Sequence, residues 1–147
     1  GVAVAGLDDV WISVLLGVVP AEFVEPEYTD IAGLDDPALV GHWWILGLAL
    51  VSSVFNYVLG EELLFRGILL PRMAGVFGRW DWVANTVLFG LYHVHKFWYF
   101  PSLILGSLGI AWAARRHRSM LMGVVVHGAE GLFVIVLVVG VLAGLTN

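Results

Sequence analysis

Apolar runs separated by a few polar turns set the first expectations. Residues 10–19 form an apolar stretch behind Asp8 and Asp9, too short to cross a bilayer alone, which reads as the tail of a helix. Residues 20–37 are polar and acidic (Glu22, Glu25, Glu27, Asp30, Asp35 and Asp36, with three prolines and no Lys or Arg) and read as a surface loop. Residues 38–73 make the longest helical stretch and open on Trp43 and Trp44, which suit a headgroup interface. At ~1.5 Å per residue this stretch exceeds a hydrocarbon core of about 30 Å, so it either tilts or breaks near Gly60. A turn at 74–81 follows, then spans at 82–97, 102–114 and 120–145, with an aromatic belt at 97–100 and the basic loop "RRHRS" at 115–119. The pattern predicts an all-α polytopic transmembrane bundle of about four to five spans in a single domain, 1–147, with neither internal repeats nor low-complexity segments.

Composition strengthens the membrane reading. The 147 residues are 60% hydrophobic and 13% charged, with a mean hydropathy of +0.91. A soluble domain is about half apolar and about a quarter charged. The net charge of −5 carries no basic tract with interleaved aromatics, so nucleic acid is not an expected partner. With no cysteine, disulfides, thiolate chemistry and cysteine-bound metals are excluded. The chain starts at Gly1 and reads as N-terminally incomplete, and its first stretch lacks the basic region of a signal peptide.

The placement of basic residues gives a topology. Arg72 and Arg79 flank one turn, Arg115, Arg116 and Arg118 mark another, and two spans separate them, so both turns lie on one side. The positive-inside tendency makes that side cytoplasmic and the acidic loop external. Counting back from that side, Glu61 lies 11 residues before Arg72, His93 11 residues after Trp82, and His127 nine residues after Arg118. At ~1.5 Å per residue, all three rise to roughly 13–16 Å, near mid-bilayer.

Ionisable groups at that depth are costly and must be paired or face a watery interior. Glu62 and Arg66 are i, i+4 and share a helix face, as do His127 and Glu130 at i, i+3, while Glu61 turns elsewhere. The set offers Glu61 as a general base, His93 and His127 to hold water or an oxyanion, and Arg66 to keep Glu62 ionised. Attack of an activated water on a peptide carbonyl fits it. No Ser–His–Asp arrangement is legible.

The motifs "EELLFR" (61–66), "FGLYH" (89–93) and "HGAEG" (127–131), in this order and with "DW" at 81–82 after the first, resemble the CAAX-protease and bacteriocin-processing (Abi) family of intramembrane proteases. The resemblance covers about 38–139. It implies a helical core around a water-filled cavity, with Glu61 activating the hydrolytic water, His93 holding it, His127 stabilising the oxyanion, and Glu62 and Arg66 in support. It implies a metal-free, glutamate-dependent endopeptidase acting on a hydrophobic or lipidated peptide in contact with membrane lipid. One departure stands out: where the family's third motif carries Asn or Asp four residues after the histidine, this chain has Gly131. Glu130 beside it is expected to donate in protonated form, to bond Arg66 or to orient His127.

Two other readings stay open on the sequence. Glu61, His93 and His127 are a sensible zinc set, so a zinc hydrolase is an alternative. Gly131 supports a catalytically weak or inactive scaffold or immunity protein built on the same fold. The location is an integral, multi-pass protein, read as prokaryotic plasma membrane with the basic loops cytoplasmic. The natural substrate and oligomeric state are not legible.

Overall fold

The largest fully buried side chains are Arg66, Glu62, Asn85 and Thr86, all polar, while Trp44, Phe55, Trp112, Leu121, Leu132 and Phe133 lie exposed. That inversion is what a helical protein shows when lipid is its outer solvent. The computed structural model describes residues 2–20 and 36–145, and every regular element among them is helical, without a strand.

Helix α1 spans Val2–Leu16. A 3₁₀ turn, Pro37–Leu39, is capped by Asp36, whose carboxylate accepts the Ala38 N–H at 2.8 Å. Helix α2 then runs without a break over Trp44–Met73, α-helical in Trp44–Ser53, π-helical in Val54–Leu69 and α-helical again in Leu70–Met73. Helices α3 (Asp81–Tyr92), α4 (Phe100–His117) and α5 (Met120–Leu142) follow. Three helical stretches are long and apolar enough to cross a membrane: Trp44–Met73, Val94–His117 (which includes α4) and Met120–Leu142.

These bounds correct several expectations. The long helix starts at Trp44, because Gly41 turns the chain with φ +82° and residues 37–39 are used in the 3₁₀ turn. It does not break at Gly60. The chain instead widens into i→i+5 register, as in the Leu70 N–H bond to the Phe65 carbonyl. Such π segments concentrate at functional sites. The expected span at 82–97 ends as an α-helix at Tyr92, and the chain continues as a 3₁₀ stretch, Val94–Tyr99, kinked at Lys96. At 12 residues, α3 is about 18 Å long. Among the described residues there are five α-helices, three of them long and apolar enough to cross a membrane, while α3 and the 15-residue α1 are too short to meet that measure. The acidic loop falls mainly in 21–35, outside the described residues.

Polar ties hold the short elements against the long ones. Asn85 on α3 donates to the Phe65 carbonyl at 2.9 Å, and Thr86 donates to the Trp82 carbonyl at 3.0 Å and reaches the Ser107 carbonyl on α4 at 3.4 Å. Asp81, buried at the start of α3, accepts its neighbour's amide at 2.8 Å and pairs with Arg115 near the end of α4. Helix α1 docks through two bonds: the Trp11 indole donates to the Phe97 carbonyl at 2.7 Å, and Asp8 accepts the Ser102 N–H at 3.1 Å. Ser102 is the third residue of α4, so Asp8 caps a first-turn amide of that helix with a negative charge at its positive end. Asp8→Ala is therefore expected to lower stability by about 1.5–3 kcal/mol, the scale of a hydrogen bond to a charged group, in an unfolding titration in detergent.

Candidate active site

The π-helical part of α2 brings the first motif inward. Glu62 and Arg66 are i, i+4, and their side chains, both with 0% exposure, pair at 3.1 Å between Arg66 Nη1 and Glu62 Oε1. The angle is poor for a hydrogen bond, so the contact is held by charge. The guanidinium also lies 4.5 Å from the Phe89 ring centroid and 5.9 Å from that of Phe65, a cation–π arrangement suited to a cation away from water. The other Glu62 oxygen, Oε2, packs against α5 at Gly123, where any Cβ would overlap it.

His127 on α5 and His93 at the end of α3 complete the cluster. His127 Nδ1 lies 2.9 Å from Glu62 Oε1. A carboxylate accepts there, so Nδ1 carries the proton and Nε2 faces the cavity, 3.6 Å from Glu61 Oε2. His93 Nδ1 donates to the Phe89 carbonyl at 3.0 Å, leaving its Nε2 3.5 Å from Glu61 Oε1. Glu61 thus sits between two imidazoles, each held from behind in a fixed tautomer, and its own side chain is 13% exposed toward a cavity of about 600 Å³. The same carbonyl that orients His93 belongs to the last turn of α3. There the His93 N–H bonds both Phe89 and Gly90 carbonyls, and the helix tightens and stops.

The three groups expected at one depth therefore converge: Glu61, His93 and His127 meet within 4 Å, with Glu62 and Arg66 behind them. His93 arrives from a helix end rather than from mid-helix. Glu130 takes neither of the two pairing roles expected of it, with Arg66 or with His127. It is exposed, bonds neither Arg66 nor His127, and reaches across the cavity toward Gly106 on α4, because His127 is already oriented by Glu62 and Arg66 is sealed behind it. His95 is exposed beside His93, with ring centroids 5.7 Å apart.

Three contributors escaped the sequence reading. Asn85 fixes α3 on α2; as a lone amide in an apolar segment it could have been flagged by the same rule that flagged the charges. Gly123 gives Glu62 its place, and no residue signal marked it among 18 glycines. Tyr57 lies one π-helical turn before Glu61 and its ring centroid is 4.7 Å from that of His127. Gly123→Ala should therefore cost about 1–3 kcal/mol of stability, as overpacking does. It should also lower activity by displacing Glu62 from His127, which thermal unfolding together with a turnover assay would check.

Among the described residues, no group of three or more His, Asp or Glu side chains is placed to hold a metal ion. Chemically, the cluster offers a carboxylate on the wall of a cavity, two imidazole nitrogens beside it, and a buried carboxylate–guanidinium pair that fixes one of them.

A family model described as type II CAAX prenyl endopeptidase Rce1-like matches residues 42–133, the stretch that holds every residue of this cluster. No curated protein and no solved structure matches the chain.

Proposed function

Because the chain belongs to the type II CAAX prenyl endopeptidase Rce1-like family, we propose that it is an intramembrane endopeptidase in which Glu61 activates the hydrolytic water. The observation that carries this is Glu61 between His93 Nε2 and His127 Nε2, at 3.5 and 3.6 Å, on the wall of the cavity.

In this reading a water sits between Glu61 and His93. Its oxygen attacks the scissile carbonyl carbon while Glu61 takes its proton, and the carbonyl electron pair moves onto oxygen. Collapse of that intermediate breaks the C–N bond, and the proton passes from Glu61 to the leaving nitrogen. A positioned base of this kind contributes about 10²–10⁴-fold. His127 donates to the oxyanion in its doubly protonated form. Glu62 holds its Nδ1–H throughout, and Arg66 holds Glu62.

The substrate is a membrane-associated peptide carrying a lipid or an apolar segment, reaching the cavity from the bilayer. Orientation follows the basic residues, with Arg72, Arg79, Arg115, Arg116 and Arg118 at the cytoplasmic end. To test the reading, the full chain in liposomes is given a fluorogenic peptide in prenylated and unprenylated forms. The expected result is cleavage with a KM at least about tenfold lower for the prenylated form, about 1.4 kcal/mol of lipid-dependent binding. Equal turnover of both forms would remove the lipid from the specificity. Turnover of neither by folded protein would favour a non-catalytic scaffold.

A further inference from the structure

We infer that the phenol of Tyr57 is a hydrogen-bond donor to the oxyanion formed at this site, an inference that rests on the endopeptidase reading. Tyr57 lines the cavity together with Glu61, His93, His127 and Glu130. Its ring packs on the His127 imidazole, with centroids 4.7 Å apart at an interplanar angle of 38°. The edge of the ring lies over α5 at Gly131, where a Cβ would stand 2.8 Å from Tyr57 Cε2 and 3.0 Å from Cδ2. Glycine at 131 is thus what lets the edge of the ring come this close to α5 beside His127.

The hydroxyl is the unusual part. It sits in the field of the Glu61 and Glu130 carboxylates, yet makes no hydrogen bond among the described residues. A half-buried phenol normally finds a partner. Here it is a donor carried on the ring that packs against the imidazole facing the reacting centre. Peptide hydrolysis converts a carbonyl into an oxyanion, and fixed neutral donors in a water-poor site stabilise that charge strongly. Glu61 has to accept a proton in the reaction, so it does not serve as that donor. Tyr57 and His127, ring against ring, present two donors from adjacent helices. The phenol gives a hydrogen bond to the oxyanion and keeps its proton, so the proton balance of the reaction is unchanged.

Tyr57 also lines a smaller apolar cleft of about 220 Å³ between α2 and α5, together with Gly131 and Leu132. The ring could act as a partition alone, and Tyr57→Phe separates the two roles because it keeps the ring and removes the hydroxyl. The experiment measures kcat, KM and melting temperature for the full chain in liposomes with a prenylated fluorogenic peptide, for wild type, Tyr57→Phe, Gly131→Ala and the double variant. Tyr57→Phe should lower kcat by about 10²–10³-fold, the effect of losing one oxyanion donor, with KM and melting temperature unchanged. Gly131→Ala should lower kcat by displacing the ring. The double variant should turn over no more slowly than Tyr57→Phe, because the displaced ring then has no hydroxyl to misplace. Wild-type kcat in Tyr57→Phe, a change confined to KM, or additive losses in the double variant would overturn the inference and leave the endopeptidase reading standing. A folded wild type that cleaves nothing would overturn both.

Discussion

Glu61→Gln lowers kcat by about 10²–10⁴-fold and leaves the fold intact. The amide keeps the size and shape of the side chain but takes up no proton from water. The fold survives because Glu61 is not part of the sealed pair. Its oxygens lie 3.5 and 3.6 Å from two imidazoles, at a position open to the cavity. Removing its charge relieves the repulsion from the adjacent Glu62 carboxylate and gives up the attraction of a protonated His127, so the melting temperature should change little. Activity and melting temperature measured on one preparation check both halves. A matched fall in the two would mean that Glu61 is structural. Unchanged turnover would mean that the base lies elsewhere.

Arg66→Ala has the largest expected effect on stability, a loss of about 3–5 kcal/mol. It removes the partner of Glu62 and leaves a carboxylate with no exposed area beside Gly123, in a place where desolvation is costly. His127 loses its support at the same time, because the Glu62 oxygen that pairs with Arg66 is the one 2.9 Å from His127 Nδ1. Glu62→Gln leaves Arg66 with no partner charge and should cost a similar amount. The double change Glu62→Gln/Arg66→Met should recover much of the stability, since it removes both charges and fills the guanidinium's place between Phe65 and Phe89 with an apolar side chain. It should not recover activity, since His127 is then no longer held by a carboxylate. Unfolding titrations of the three variants in detergent provide the cycle.

Much of this was legible because charge in an apolar chain is conspicuous. Glu61, Glu62, Arg66, His93 and His127 stand out at one depth from residue spacing alone, and the structure gathers them within contact distance. All-helical architecture followed from the same apolar runs. The rest depended on backbone register and close packing, which hydropathy does not encode. A run that counts as one span at 82–97 ends at His93, because that side chain and its amide both draw on the Phe89 carbonyl. The register of Val54–Leu69 left no mark in the pattern. Glu130, one residue from the third motif, looked chemically eligible, yet it points toward Gly106. Gly131 read as a missing side chain, and the structure shows Tyr57 lying over it. A glycine opposite an aromatic ring is a three-dimensional fit between residues 74 positions apart, and neither predicts the other in sequence.

The account turns on hydrolysis by Glu61 within this cluster. The most direct measurement is product mass analysis of a prenylated peptide incubated with the full chain in liposomes, for wild type and Glu61→Gln, each with and without a chelator. The account predicts two wild-type products whose masses sum to that of the peptide plus one water, unaffected by chelator, and only intact peptide with Glu61→Gln. Intact peptide with folded wild type, or wild-type cleavage abolished by chelator and restored by zinc, would contradict it.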